Sequence, residues 1–243
     1  DKLVSQKEIH HNKKRDCYNS RIIVDKSKLL NCIVPSNKGK SKKSVFLIGD
    51  SHAGYLEEMA NIALEKSDSK LYFFANTSDK EFFPFTLFNI YKNNFLRNLI
   101  LDNIKKDDFV IIHFYKARFN KSNLEHSNNF HKFKKNTKYM NALLNLSSFA
   151  NDLDRKGAKL ILIEDIPIMK TYTPISICEV QQKLFKWDNC SVPIGIDKES
   201  SFFQEKLFRK INYDFTNTYI WDLKKFFYVK DGKYSFADKN GKT

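Results

Sequence analysis

The chain reads as an α/β protein built on a parallel sheet. Two observations carry this. Short apolar runs, each bounded by polar residues, recur along the 243 residues, and stretches with apolar residues at helical spacing lie between them. Strands alternating with helices imply parallel pairing through right-handed crossovers. The length suits one α/β domain or two small ones and is enough to bury a sizeable core. A hydrophobic content of 42%, with 22 phenylalanines, argues for a folded globule.

The elements follow in order. Residues 1–16 are polar and basic and read as a linker; 17–243 read as the folded domain. Arg21–Val24 is a short edge element, and Asn37–Lys43 is a Lys, Ser and Gly stretch. Val45–Ile48 is a buried strand. Leu56, Met59, Ala60, Ala63 and Leu64 then form one face of a helix from about Ala53 to Lys66. Leu71–Phe74 is the next strand. Phe85 to about Ile104 is apolar at helical spacing through Leu87, Ile90, Tyr91, Phe95, Leu99 and Ile100. Phe109–Phe114 has buried-strand character, and Lys116–Lys138 is a basic loop. Tyr139–Arg155 is a helix with Gly157 at its C-terminal end. Lys159–Ile163 is a strand followed by Asp165-Ile166-Pro167. Residues 168–200 read as irregular, Phe202 to about Ile211 as a helix, and Thr218–Trp221 as the fifth strand. There is no internal repeat.

The formal charge of +14 is spread over the chain, with dense clusters in 1–43 and around His131–Lys138. A solvated lysine-rich surface accounts for it; the functional alternative is contact with acidic glycans or lipid head groups. Lysine dominates over arginine and no nucleic-acid motif is present, which excludes a nucleic-acid partner. No apolar run reaches the roughly 18–20 residues that span a bilayer, and no secretory signal opens the chain, which starts at Asp1 and reads as an excised piece. Cys17 and Cys32, and Cys178 and Cys190, form two local pairs. They suit two disulfides, each contributing about 3 kcal/mol; four reduced thiols are the alternative. No C-x-x-C is present, against zinc and thioredoxin-like chemistry.

Gly49-Asp50-Ser51-His52 stands where an apolar strand passes into a helix. A serine there lies at the strand's carboxyl end and beside unpaired helical N–H groups, a good place for a nucleophile and for the oxyanion it creates. The bland alternative is that Ser51 caps the helix. Asp50 reads as a turn residue that bonds nearby backbone rather than as an acid catalyst. His52 adjoins the nucleophile but faces another way, and reads as a substrate or loop contact rather than the base. Asp222 reads as a surface or capping residue. Glu164 and Asp165 end a strand at the functional edge, where a paired-carboxylate glycosidase would need a second acid placed opposite.

Leu47-Ile48-Gly49-Asp50-Ser51-His52-Ala53 resembles the first block of the SGNH hydrolases, and more narrowly the SGNH domain fused behind membrane acyltransferase family 3. The likeness continues in the order of elements from about residue 17 to 243. It implies a flavodoxin-like three-layer sandwich with about five parallel strands. It implies O-acyl transfer or ester hydrolysis on a bacterial surface polysaccharide through an acyl-enzyme at Ser51, with no metal and no organic cofactor. The implied partners are an acyltransferase membrane domain on the same polypeptide, an acyl donor and a carbohydrate acceptor. The implied location is periplasmic or extracytoplasmic, tethered to the inner membrane.

The family takes its base and orienting acid from a late D-x-x-H block. None of His10, His11, His52, His113, His126 and His131 has Asp three residues before it. Asp231–Thr243 resembles the segment that precedes that block, so a D-x-x-H is expected just past Thr243. The family's oxyanion glycine and asparagine are replaced. Ala75-Asn76-Thr77-Ser78 follows one strand and His113-Phe114-Tyr115 ends another. Asn76, His113 and Tyr115 are the candidates for those positions, with the Ser51 backbone N–H as a further donor. The alternatives from other classes are a non-catalytic glycan-binding or scaffolding module of the same fold, and a free-standing secreted esterase.

Overall fold

A computed structural model describes residues 32–34, 43–50, 52–54, 56–57, 60, 63, 67, 69–75, 95–116, 137–167 and 191–235. Nine strands fall in it: β1 (Ile33–Val34), β2 (Lys43–Gly49), β3 (Ser69–Ala75), β4 (Phe109–His113), β5 (Lys159–Glu164), β6 (Ser191–Pro193), β7 (Thr218–Asp222), β8 (Tyr228–Lys230) and β9 (Lys233–Ser235). The helices with full bounds are α1 (Phe95–Asn103), α2 (Thr137–Arg155) and α3 (Ile194–Asp214). Residues 52–54, 56–57, 60 and 63, after β2, are also helical.

The main sheet runs β1-β3-β2-β4-β5-β7. All pairings are parallel except that of the two-residue edge strand β1 on β3. The five parallel strands thus follow the doubly wound order 2-1-3-4-5, as expected. Sequence and burial agree on why each strand sits where it does. Val45–Ile48 in β2 are all buried, as a central parallel strand covered on both faces requires. In β7, Thr218 is buried while Tyr219 and Trp221 are exposed, the alternation of an edge strand with one face in water.

The core is aromatic. Phe46, Phe74, Phe114, Phe149 and Phe208 are fully buried. Phe46 stacks on Tyr72 with centroids 4.4 Å apart, and Phe114 meets Phe208 edge-on at 5.5 Å. In α2 the buried apolar positions are Tyr139, Ala142, Leu146, Phe149, Ala150 and Leu153, a 3.6-residue stripe. α2 packs on α3 and both pack on β5. Arg97 of α1 is buried and held by Asp152 and by Ser148 Oγ at 3.0 Å. Gly157 ends the α2 turn with φ of 69°, the left-handed conformation that glycine adopts freely.

Two sequence expectations are corrected here. The segment 168–200 is not irregular throughout: β6 begins at Ser191 and α3 starts at Ile194, eight residues before the expected start. The start carries no side-chain cap, only Pro193, which is why local signals miss it. It is specified instead by β6 pairing with β9 and by Asp197 of the first turn, which is buried against Lys116. β8 and β9 are a hairpin the sequence reading did not assign. Asp231 and Gly232 at its turn have φ of 50° and 70°, the positive values of a two-residue primed turn, for which Asp-Gly is a preferred pair.

The expected elements at Arg21–Val24 and 85–94, the loop 117–136, and residues 168–190 lie outside the described residues. Cys32 is buried and disulfide-bonded. Cys17, Cys178 and Cys190, and with them the expected pairings, lie outside the described residues.

Candidate functional site at the carboxyl edge

Gly49 ends β2 where nothing larger fits. A Cβ there would lie 1.7 Å from the His113 carbonyl oxygen and 2.5 Å from Ala53 Cβ. The central strands and the following helix meet at van der Waals contact across this one residue. The motif glycine is therefore a packing requirement. It brings the ends of β2 and β4 together.

Asp50 follows and is fully buried. Its Oδ1 accepts the His52 backbone N–H at 2.9 Å, and its Oδ2 accepts the Tyr115 backbone N–H at 2.9 Å. One carboxylate thus closes the turn after β2 and ties it to the loop after β4. Ser51 and Asn76 lie outside the described residues; both chain neighbours of Ser51 are described.

His52 begins the helical stretch and reaches sideways to the end of β5. Its Nδ1 is 2.9 Å from Asp165 Oδ1. Its ring lies 4.7 Å from the Tyr115 ring, centroid to centroid. His113, buried at the end of β4, faces the same carboxylate with Nε2 at 3.7 Å. Its Nδ1 lies 3.2 Å from the Ile163 carbonyl oxygen. A carbonyl only accepts, so Nδ1 carries the proton of the neutral ring.

Asp165 is the centre of this arrangement. It is fully buried, and its Oδ2 accepts the Lys116 backbone N–H at 3.0 Å while Oδ1 accepts its neighbour Ile166 N–H at 3.0 Å. Burial alone would raise its pKa. The hydrogen bond and charge of His52, the charge of His113 and the Lys116 N–H outweigh burial and hold the carboxyl below its ordinary range. His113 moves the other way. Burial pulls it below its ordinary value against the pull of Asp165. The site at neutral pH is a buried carboxylate facing one neutral, buried imidazole and one partly exposed imidazole.

A layer of buried charge supports this edge. Gln204 of α3 spans two strand ends: its Oε1 accepts the Asp165 N–H at 3.0 Å and its Nε2 donates to the Phe114 carbonyl at 2.9 Å. Lys116 is fully buried, donates to Ile166 O at 2.8 Å and pairs with Asp197 of α3. Burial lowers its pKa, with Asp197 opposing. Lys224, from the short 3-10 turn Leu223–Phe226, donates to Glu205 Oε1 at 2.7 Å and stands 3.5 Å from Asp197 Oδ2 and 3.8 Å from Glu164 Oε2. Asp222 caps that turn by accepting the Lys224 N–H at 2.9 Å.

Of the residues singled out from sequence, the structure thus gathers Asp50, His52, His113 and Tyr115 at one edge. Asp165, weighed there only as half of a carboxylate pair, is instead the partner of two histidines. Lys116, Asp197, Gln204 and Lys224 were not foreseen. Asp165 alone carried a usable signal, an acid just past an apolar parallel strand; the others come from elements far apart in sequence.

With this geometry in hand, the chain can be placed among known proteins. The fold and edge are those of an α/β domain with a Gly-Asp-Ser-His turn at the end of its central strand. Residues 16–242 match the family described as SGNH domain, fused to AT3 domains, and the chain belongs to that family. No curated protein matches it. Among solved structures, it is similar to a proposed SGNH hydrolase from Slackia heliotrinireducens, at 14% identity and a TM-score of 0.42. The match covers 79% of this chain and 90% of that one. The family assignment does not rest on that loose likeness. Membership brings ester- or acyl-transfer chemistry and an association with AT3 membrane domains. No helix among the described residues is long and apolar enough to cross a membrane.

Proposed function

We propose that the chain is the acyl-handling domain of a surface-polysaccharide O-acyltransferase, with Ser51 as its nucleophile. The observation that supports it most is the construction of the turn that carries Ser51. Gly49 permits contact that no Cβ would allow, and Asp50 closes the turn through the His52 N–H and ties it to the loop after β4 through the Tyr115 N–H. A serine that served only as a cap would not need such bracing at the end of the central strand.

In this reading, the Ser51 hydroxyl attacks the acyl carbonyl of a donor and its proton passes to a base. The donor's leaving group takes up a proton, and the acyl group rests as an ester on Ser51. A sugar hydroxyl then attacks that ester and releases the serine; water in its place gives hydrolysis. The resemblance assigns the base to a D-x-x-H block. Candidates for oxyanion contact are the Ser51 N–H, Asn76 and Tyr115. His113 is less suited to donate there, since its ring proton faces Ile163. The domain would work in the extracytoplasmic space beside an acyltransferase membrane domain of the same polypeptide, and the excess of lysine would suit an acidic glycan.

A fluorophosphonate probe tests this. The 243 residues alone lack the D-x-x-H base that the resemblance implies, so the full-length natural protein is used, and its labelling, lost in Ser51→Ala, is the expected result. No labelling above Ser51→Ala, in a chain whose fold is intact by circular dichroism, would remove the enzyme reading in favour of a glycan-binding module.

A further inference from the structure

Three donor atoms from three elements converge beneath the carboxyl edge. Asp165 Oδ1 lies 2.9 Å from His52 Nδ1 and 3.7 Å from His113 Nε2, and one ligand atom from each of the three residues lies within 4.8 Å of the others. The His113 contact is the unusual one. Its Nδ1 proton is committed to the Ile163 carbonyl, so its Nε2 presents a lone pair. That lone pair faces a carboxylate oxygen across 3.7 Å in a buried place. A water about 2.8 Å from each atom would have to sit well off the line between them, at an angle of about 80°, whereas a cation bound closer in subtends about 130°. Two electron-pair donors aimed at each other out of solvent repel unless a cation lies within reach of both.

We propose that His52, His113 and Asp165 form a binding site for a divalent transition-metal cation of the zinc class. Two imidazole nitrogens and one carboxylate oxygen are a donor set that zinc favours, and one that calcium and magnesium do not. The spacing fits. For a cation about 2.0–2.1 Å from each donor, separations of 2.9 and 3.7 Å correspond to angles of about 90° and 130°. The supporting shell is in place. The Ile163 carbonyl sets the His113 tautomer, and the Lys116 and Ile166 N–H groups hold the Asp165 carboxylate. Binding takes the lone pair of His52 Nδ1, so the single proton of the neutral ring moves to Nε2; only an imidazolium would release a proton to solvent. Three protein ligands leave a fourth position for water or a hydroxyl, the arrangement of catalytic rather than structural zinc. The ligand set does not include Ser51, so the site stands or falls separately from the serine reading.

The test uses the chain without an affinity tag, stripped by chelator and titrated with Zn2+ by calorimetry and with Co2+ by visible absorption. The expected result is one equivalent bound and a Co2+ band of four- or five-coordinate intensity. His113→Leu and Asp165→Asn should each weaken Zn2+ binding by at least about 100-fold, since even outer-shell losses cost 10–100-fold. Should either variant fail to fold, His52→Gln, at a partly exposed position, should still weaken binding by at least about tenfold. Ser51→Ala should bind as the parent does. Absence of stoichiometric binding, or binding that these ligand variants leave unchanged, overturns the site and leaves His52 and Asp165 sharing a proton. Zinc binding without fluorophosphonate labelling would keep this site and remove the serine reading; the reverse result would do the opposite.

Discussion

Asp108 and Asp165 are both buried carboxylates at the ends of parallel strands, and they do different things. Asp108 stands at the amino edge, just before β4. Its Oδ1 accepts the Ser44 N–H at 2.8 Å and its Oδ2 the Lys105 N–H at 2.8 Å. Its own backbone carbonyl accepts the Lys159 N–H at 2.8 Å. It ties the starts of β2, β4 and β5 together through backbone groups, which do not titrate. Asp165 stands at the carboxyl edge, just after β5, and its carboxylate faces two imidazoles. One edge is closed by a carboxylate whose partners are backbone N–H groups alone. The other is built from groups that can exchange a proton or bind a cation. The difference follows from the parallel sheet, whose strand ends and loops gather ligand-binding groups at the carboxyl edge.

Three substitutions sharpen that contrast, from the largest effect down. Gly49→Ala puts a methyl group 1.7 Å from the His113 carbonyl, so the carboxyl edge must open. A loss of about 3 kcal/mol or more is expected in denaturant unfolding. A variant within about 0.5 kcal/mol of the parent, the range of an ordinary surface change, would show that the edge is not close-packed. Asp108→Ala leaves the Ser44 and Lys105 N–H groups without their acceptor and should cost about 2–3 kcal/mol. Fluorophosphonate labelling and zinc binding of the molecules that remain folded should match the parent. A selective loss of either would break the division between the two edges.

The smallest effect is a pH dependence in the supporting layer. Burial works to raise Glu205, but the hydrogen bonds of Lys224 and Ser201 prevail and set it below its ordinary 4.5. A depressed carboxylate adds stability above its unfolded value and loses it as pH falls through the folded one. Burial works to lower Lys224, but Glu205 prevails and raises it above its ordinary 10.5, so its share is lost only as pH rises through that raised value. Glu164 opposes them in the acid range. Burial raises it, so its ionisation costs stability as pH climbs through its folded value. Glu205→Gln should therefore cost about 1 kcal/mol at neutral pH, the scale of a part-exposed pair. The gap from the parent should narrow as pH falls below the ordinary 4.5 and close once pH has passed the lower folded value, where Glu205 is protonated in folded and unfolded chains alike. A gap independent of pH would mean that packing, not charge, is what Glu205 supplies.

Much of the frame was legible in the chain. Val45–Ile48, Leu71–Phe74, Phe109–Phe114, Lys159–Ile163 and Thr218–Trp221 lie on strands within one or two residues of the observed bounds. Uninterrupted apolar runs flanked by polar residues have few other folded uses. The α2 stripe and Gly157 were equally plain. The start of α3 was not, because it has no cap and depends on a strand and a buried ion pair from elsewhere. The Asp231-Gly232 turn was readable in principle, since it carries its own backbone signature.

What the sequence determined by itself is local: which segments are apolar at which period, where glycine interrupts them, and that Gly49-Asp50-Ser51-His52 follows a buried strand. Periodicity and turn chemistry act over a few residues, so a single chain displays them. What only the tertiary structure decided is which distant groups share a space. His52 and Asp165 are 113 positions apart, and Lys116 and Asp197 are 81. Nothing in the residues between them encodes the contact. The register of β2, β4 and β5 and the close approach at Gly49 bring these side chains together. Burial then sets their charges, because the cost of an ion depends on everything packed around it.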